Sequence, residues 1–542
     1  MPRFLKFKLL LIFFLAFGLR LYGLNWDQGQ HLHPDERFLT MVAADIKLPS
    51  SPGQYFHPSA SPLNPYRYPG YQFFVYGTFP LFLTKFIAEI LHLGSYGQVY
   101  LVGRVLSAFF DSLNLICLYY LAIKLIPKRP ILPSCIYAFA VLPLQLSHFF
   151  TVDTFLTFFL TLTFTLLSYQ RFFLAAVALG FAFASKVSAI YFLPIFFLFI
   201  LTSKKNFLYH TCWIAVYSLL IAFLVFRLFQ PYSFTGLFAI NPQFINSLKT
   251  LKSLNHPFYP PAVQWVTKSK LIFPLENILF WGLGLPLSLA LFKFKFQKNF
   301  HFLAICLWVV CLFLIQGLQF SYTMRYFLPL YPFFCLIAAF YITRTLLALH
   351  LLWAFLFLSI YSRPHSRIQA SQWIYSRLPP NSQITHEYWD DPLPLHLSGQ
   401  IPDIYRQTTL DFYGQDTPQK WAKLNPAINS ADYLILSSNR LWGSIPQAAK
   451  YYPYTAKFYQ DLFSSRLNFR QIASFTSYPG LPLPFLKSCV YFGPTNYPGL
   501  PRRWADTDPG CLYPGIYFRD DAAEEAFTVY DHPQVLIFAR TR

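Results

Sequence analysis

YQFFVYGTFPLFLTKFIAEILHL, residues 71–93, is apolar enough to suggest a membrane span, yet Pro80, Lys85 and Glu89 interrupt it. Whether it crosses the bilayer sets the sidedness of everything after it. Other apolar stretches near membrane length fall at 9–24, 100–123, 131–150, 154–169, 172–185, 188–202, 207–229, 273–292, 300–318, 326–343 and 345–361. They make about 11 candidate transmembrane helices, two of them short for a hydrocarbon core of ~30 Å. If 71–93 does not cross, Arg3, Lys6, Lys8, Lys124, Lys128, Arg129, Arg171, Lys204, Lys205, Lys293, Lys295, Lys298 and Arg344 share one side. The short loops on that side contain no acid. If the stretch does cross, the N-terminal cluster lands opposite most of the others. Lys and Arg collect on the cytoplasmic side, so the first arrangement is favoured. The stretch then reads as an amphipathic helix lying in the outer interface. The N-terminus is expected in the cytoplasm. Loops 25–99 and 230–272, with everything past 362, are expected outside.

Composition agrees with a membrane chain. Of the 542 residues 55% are apolar, 62 are Phe and only 12% are charged, where a soluble chain would be near ~25% charged. Acids are also unevenly placed, with 8 of the 23 before position 363. This divides the chain into a transmembrane part, 1–362, and a soluble part, 363–542. The second is long enough to bury its own core. It reads as mixed α/β, with a helix at 366–378 and strands at 383–387, 431–437 and 533–539. The run 520–525 reads as a solvated acidic turn. The net charge of +20 lies in short clusters between apolar runs. With no basic face, nucleic-acid binding is excluded, and anionic lipid headgroups are the expected counter-charge. Cys117, Cys135, Cys212, Cys306, Cys311 and Cys335 sit in apolar segments as small hydrophobes. Cys489 and Cys511 could pair outside the cell or remain two thiols. No small-residue cleavage site follows the first apolar segment, so it reads as a retained helix. No internal repeat is visible.

Acids are so scarce in the membrane part that each needs a reason. The first outer loop carries His31-Leu32-His33-Pro34-Asp35-Glu36, and Asp153 lies where the third span emerges on the same side. Carboxylates from different elements reaching one face can do general acid–base work or hold a cation. Asp35 alone could instead cap a helix after the proline. Its company, Asp153 and the nearby cations, favours chemistry. Lys186, between two apolar runs, and Arg325, in Tyr322-Thr323-Met324-Arg325-Tyr326, fall at the outer surface by parity. Cations there oppose the positive-inside trend and call for an anion, with a lipid phosphate the obvious one. Snorkelling to headgroups is the alternative for Lys186. Arg104 and Asp111, seven apart in one span, are expected to pair with each other across the helix face. His31, His33, Asp35 and Glu36 together could hold a divalent metal, though no further spaced ligand accompanies them.

The order of these segments resembles the GT-C class of polyprenyl-phosphate-dependent glycosyltransferases. The closest likeness is to the bacterial family 39/83 type, kin to protein O-mannosyltransferases and lipid A aminoarabinose transferases. The segments are His33-Pro34-Asp35-Glu36, Asn64-Pro65-Tyr66-Arg67-Tyr68-Pro69, Gly103-Arg104 with Asp111, Ser147-His148-Phe149 through Asp153, and Ser185-Lys186. Gln230-Pro231-Tyr232-Ser233, Trp281-Gly282-Leu283-Gly284 and Arg325-Tyr326-Phe327-Leu328-Pro329 follow, then Ala370-Ser371-Gln372-Trp373-Ile374 and Tyr530-Asp531-His532-Pro533. No single motif is specific; their order over the chain is.

The resemblance implies a sugar carried on a polyprenyl phosphate and passed to a lipid, glycan or protein acceptor at the extracytoplasmic face of a bacterial inner membrane. It implies Asp35, Glu36 and Asp153 as catalytic candidates, with Asp35 as base or acceptor-orienting carboxylate. His33, His148, Lys186, Arg325, Tyr326 and Arg104 become candidate substrate contacts, Lys186 and Arg325 neutralising the leaving phosphate. Metal dependence is left open. A lipid or sugar transporter is the rival reading, but it would show inverted repeats and helices broken at the midplane. A non-catalytic membrane scaffold is the third.

Overall fold

The computed structural model describes residues 3–202, 208–493, 505–508 and 512–541. Its first part is helical. Tyr96–Leu125, Thr211–Phe229, Phe300–Gly317 and Arg344–Arg377 are each long and apolar enough to cross a membrane. The stretch Thr211–Phe229 has mean hydropathy 2.2 but is only 11% buried in the protein. Trp213, Val216, Leu220 and Leu224 point outward from it. A helix so apolar and so uncovered is solvated by lipid, with its backbone bonds satisfied internally.

The eleven expected spans are not eleven straight helices. Among the described residues four helices qualify, or five if Ile272–Gly282 and Leu285–Leu291, bent 118° apart, count as one span. Gly284, at φ +81°, supplies that corner, which a side chain would resist. The stretch 131–150 divides into Leu132–Ala138 and Val141–Leu146, and 326–343 into Met324–Leu330 and Tyr331–Ala338. Pro133, Pro143, Pro329 and Pro332 lie in these pieces, where a missing N–H and a fixed φ favour breaks.

The stretch 71–93 forms only one 13-residue helix, Thr78–Ile90, roughly 20 Å long and too short to span. Lys85 turns inward and pairs with Glu89 at 2.6 Å, one turn on. Gly77, which starts the helix, donates its N–H to Ser185 O at 3.1 Å. A Cβ at Gly77 would lie 2.2 Å from the carbonyl oxygens of Ala184 and Ser185. Glycine therefore lets this helix seat directly against the turn that carries Lys186.

The second part is an α/β domain. Strands β1 (Gln383–Glu387), β2 (Arg406–Leu410), β3 (Tyr433–Leu436), β4 (Phe469–Phe475), β5 (Gly480–Pro482), β6 (Cys489–Phe492), β7 (Ala505–Asp508), β8 (Gly515–Phe518) and β9 (Val535–Arg540) form two sheets. The larger has the order β2-β1-β3-β9-β4, with β1 parallel to β2 and β3, and β9 antiparallel to β3 and β4. Alternate residues face opposite layers. Leu434, Leu436, Leu536 and Phe538 pack with Trp442, Tyr459 and Phe463. Ile435, Val535 and Ile537 pack with Ile368 and Ile374 of helix Ser366–Arg377. The smaller sheet runs β5-β8-β6-β7. The helix and three strands expected from the sequence all form. Cys489 is disulfide-bonded, while Cys511, with which the sequence left a pairing open, lies outside the described residues.

The run 520–525 is not a solvated turn. Asp520, Asp521, Glu524 and Glu525 are buried, and the segment wedges between the two parts of the molecule. His532 contacts Asp520 at 2.7 Å and also Asp531, and Asp531 accepts from Gln145 at 2.9 Å and Tyr361 at 3.0 Å. Burial works against protonating His532, but the two carboxylates outweigh it and raise the imidazole to about 10. Buried acids with partners read, in sequence, like exposed ones.

Candidate active site

The site begins at the helix Pro34–Asp45, whose first turn carries both acids of the outer-loop motif. Pro34 takes the first helical position, where no N–H is needed. The cap is His33, not Asp35: its Nδ1 accepts from the N–H groups of Asp35 (3.2 Å) and Glu36 (3.4 Å). An accepting Nδ1 must be unprotonated. Burial enforces that, bringing His33 down to about 4 although Asp35 pulls the other way. Its ring is held between Phe149 and Tyr530 at 4.6 and 4.3 Å. Because the histidine caps, the Asp35 carboxylate is free for other work.

Asp35 and Glu36 point to different places. Glu36 goes inward, where Arg104 donates to both its oxygens at 3.0 and 2.5 Å and the Phe150 N–H adds a third bond at 2.6 Å. Arg104 also forks onto Asp27 at 2.9 and 2.8 Å and donates to Leu24 O at 2.6 Å. Its guanidinium lies over Trp26 and Tyr100. All of these groups are buried, so Arg104 and Glu36 fasten the outer loop to the helix Tyr96–Leu125 rather than facing substrate. The expected Arg104–Asp111 pair does not form. Asp111 instead accepts from Arg20 and from Tyr137, both at 2.6 Å, two turns further along the helix.

Asp35 goes outward and pairs with Arg325, with Tyr76 as a further hydrogen-bond partner. Burial opposes its ionisation, but the Arg325 guanidinium and the hydrogen bonds from Arg325 and Tyr76 outweigh it and hold the carboxyl at about 2. Beside this pair stands a second one: Lys186 Nζ lies 2.6 Å from Asp153 Oδ1. Lys186 comes from the turn after helix Phe172–Ser185, and Asp153 starts helix Asp153–Ser168. Tyr326 links the pairs, its ring 4.7 Å from Lys186 Nζ and 5.6 Å from the Arg325 guanidinium.

Asp153, Lys186, Arg325 and Tyr326 line a cavity of about 230 Å³, with Gln316, Gln319 and Tyr191 adding polar groups. Val75, Leu156, Ile190, Leu248 and Leu251 form its apolar side. Arg325 is about a fifth exposed, so its guanidinium is open to a ligand. Its backbone is fixed from the tail: Glu524 accepts from Thr323 Oγ1 at 2.9 Å, from the Met324 N–H at 3.3 Å and from Gln264 at 3.0 Å.

The structure thus gathers Asp35, Asp153, Lys186, Arg325 and Tyr326 at one place. His33 supports it from behind. Glu36, Arg104 and His148 lie in the packing below. His148 has its ring nitrogens 2.7 Å from Leu144 O and 2.9 Å from Tyr22 O, stacked on Tyr361 at 3.8 Å. The four residues weighed as metal ligands diverge: His31 packs on Tyr96 and Tyr100, His33 caps, Glu36 meets Arg104 and Asp35 meets Arg325. Among the described residues no three His, Cys, Asp or Glu side chains gather as metal ligands would. Reading the sequence missed Asp27, Tyr76 and Glu524. Asp27 was visible as one of the few acids of the outer loop, whereas Tyr76 is one of 37 tyrosines and carried no signal.

No protein-family model matches the chain, and no curated protein does. Among solved structures it is similar to ArnT from Cupriavidus metallidurans bound to undecaprenyl phosphate, at 12% identity and TM-score 0.42, covering 81% of this chain and 94% of that one. It is also similar to the oligosaccharyltransferase AglB from Archaeoglobus fulgidus in complex with an inhibitory peptide and a dolichol-phosphate. That match has 12% identity and TM-score 0.46, covering 84% of this chain and 73% of that one. Likeness this distant transfers no role to any residue here.

Proposed function

We propose that the protein is a membrane glycosyltransferase of the GT-C kind, moving a sugar from a polyprenyl-phosphate carrier to an acceptor hydroxyl at the outer membrane face. The observation that carries this is the presence of two neighbouring carboxylate–cation pairs, Asp35–Arg325 and Asp153–Lys186, of which Arg325, Asp153 and Lys186 line one cavity among apolar helices. At rest each charge is matched. A lipid phosphate entering the cavity offers both cations a better partner, since Arg forks onto phosphate and Lys meets it as a point charge.

That exchange also prepares the base. The charge that keeps Asp35 at about 2 is chiefly that of Arg325. As Arg325 turns to the phosphate, the carboxylate becomes more basic and takes the acceptor's proton. The acceptor oxygen then bonds to the anomeric carbon while the bond from that carbon to the phosphate oxygen breaks. The electron pair stays on the phosphate, where Arg325 and Lys186 stabilise it in surroundings poor in water. Asp153 holds Lys186 in place.

The test is transfer of labelled sugar from a polyprenyl-phosphate donor pool, comparing wild type with Asp35→Asn in matched membranes. Removing a positioned base costs ~10²–10⁴ in rate. Near-normal turnover by Asp35→Asn would move the base to Asp153 and leave Asp35 as a partner of Arg325 alone.

A further inference from the structure

The loop after β1 is Tyr388-Trp389-Asp390-Asp391, and it has an unusual backbone. Trp389 has φ +91°, a region that bulky L-residues avoid, and the residue nonetheless stands exposed. Its conformation is imposed from the next two positions. Asp390 pairs with Arg440 at 3.1 Å and Arg367 at 3.3 Å, and accepts from Ser438. Asp391 pairs with Arg37 at 2.5 Å and Arg367 at 3.0 Å. Cations from three separate elements thus pin the chain immediately after the tryptophan. The indole is nonetheless 40% exposed, beside Tyr388 at 45%. A strained residue whose large ring is left partly open to solvent is a candidate for function.

Its location says which function. Three parallel strands, β1, β2 and β3, end at this loop's edge of the sheet, and the carboxyl end of parallel strands is where α/β domains place ligands. That edge faces the membrane part. Trp389 meets Tyr259 of the second outer loop edge-on, with ring centroids 5.4 Å apart. Tyr259 in turn lies within electrostatic reach of Asp35 and Tyr326. Arg37, on the same helix as Asp35, is about a third exposed and reaches the loop through Asp391. A partly exposed tryptophan set edge-on against a half-buried tyrosine, within electrostatic reach of Asp35 and bordered by a carboxylate and a guanidinium, suits a flat ring with C–H groups on its faces and hydroxyls at its rim.

We infer that Trp389 and Tyr259 form an acceptor platform on which a saccharide ring stacks, so that the acceptor is a glycan or glycolipid sugar presented to Asp35. This rests on the glycosyltransferase reading. Aromatic faces attract polarised C–H groups, while Arg37 and Asp391 can bond ring hydroxyls.

The experiment captures full-length, detergent-solubilised protein on an array of immobilised oligosaccharides and of serine- and threonine-containing peptides. Wild type, Trp389→Phe, Trp389→Ala and Trp389→Gly are compared. Wild type should be retained on saccharides, Trp389→Phe largely so, and Trp389→Ala about tenfold less. Trp389→Gly, which relieves the backbone, should lose retention while keeping or raising the melting temperature, separating lost binding from lost folding. Binding of short-chain polyprenyl phosphate should be the same in all four. Capture on peptides alone, no capture on any saccharide, or undiminished capture of Trp389→Ala would overturn the platform. Those results with phosphate binding intact would leave the donor side of the reading standing, whereas loss of phosphate binding by wild type itself would remove the reading beneath it.

Discussion

At the scale of residues, scarcity made part of the site legible. With 8 acids before position 363, Asp35 and Asp153 could be singled out, and Lys186 and Arg325, placed by parity opposite the main group of cations, pointed to the same region. Pairing was not legible. Arg104 and Asp111 share a helix face, yet each found a partner far along the chain: Glu36 and Asp27 for one, Arg20 for the other. Spacing within a helix reveals which residues are neighbours on that helix only. The adjacent acids Asp35 and Glu36 likewise look equivalent in sequence, and only the histidine cap separates an outward carboxylate from an inward one. Arg104 therefore belongs to stability. Arg104→Met would leave two buried carboxylates without their cation, a loss of about 3–5 kcal/mol. Thermal unfolding of the purified variant should show a strongly lowered midpoint, or too little folded protein to purify. A midpoint like that of wild type, with selective loss of phosphate binding, would return Arg104 to the ligand contacts.

At the scale of elements, the informative piece is the segment 520–534. Its acidic run was expected in water, because sequence shows charge and not the partners that bury it. Glu524 is held by Gln264, Thr323 and the Met324 N–H, all within 3.3 Å, and so fixes the turn that presents Arg325. Glu524→Ala leaves those donors unsatisfied, at a cost of roughly 1–3 kcal/mol. The expected result is a soluble domain that still melts cooperatively while affinity for polyprenyl phosphate falls. Unchanged affinity in that variant would show that the membrane helices alone hold Arg325. The stretch 71–93, which Pro80, Lys85 and Glu89 interrupt, was expected not to span on the distribution of Lys and Arg, and it forms a helix of only 13 residues, Thr78–Ile90. Its close seat on the Lys186 turn depended on Gly77, which stood out in no way from the other glycines of the sequence.

At the scale of the whole molecule, a helical first part and the α/β character of the C-terminal part were legible from apolar runs and alternation. The breaks within the apolar stretches were not, because hydropathy counts apolar length and is blind to the corner at Gly284 and the breaks near proline. Sidedness rests on the distribution of Lys and Arg. Reporter fusions after residues 127 and 365 should read cytoplasmic and external respectively. An external reading at 127 would place the Lys124–Arg129 cluster on the same side as Asp35 and undo the topology. The central claim is that Arg325 serves the donor phosphate and Asp35 the acceptor. Its most direct test is a titration of short-chain polyprenyl phosphate against wild type, Arg325→Lys, Arg325→Ala and Asp35→Asn. The account predicts weaker binding in Arg325→Lys and weaker still in Arg325→Ala. Asp35→Asn should bind as tightly as wild type or more so, since Arg325 is then released from its resting partner. Equal affinity in all four proteins would contradict it.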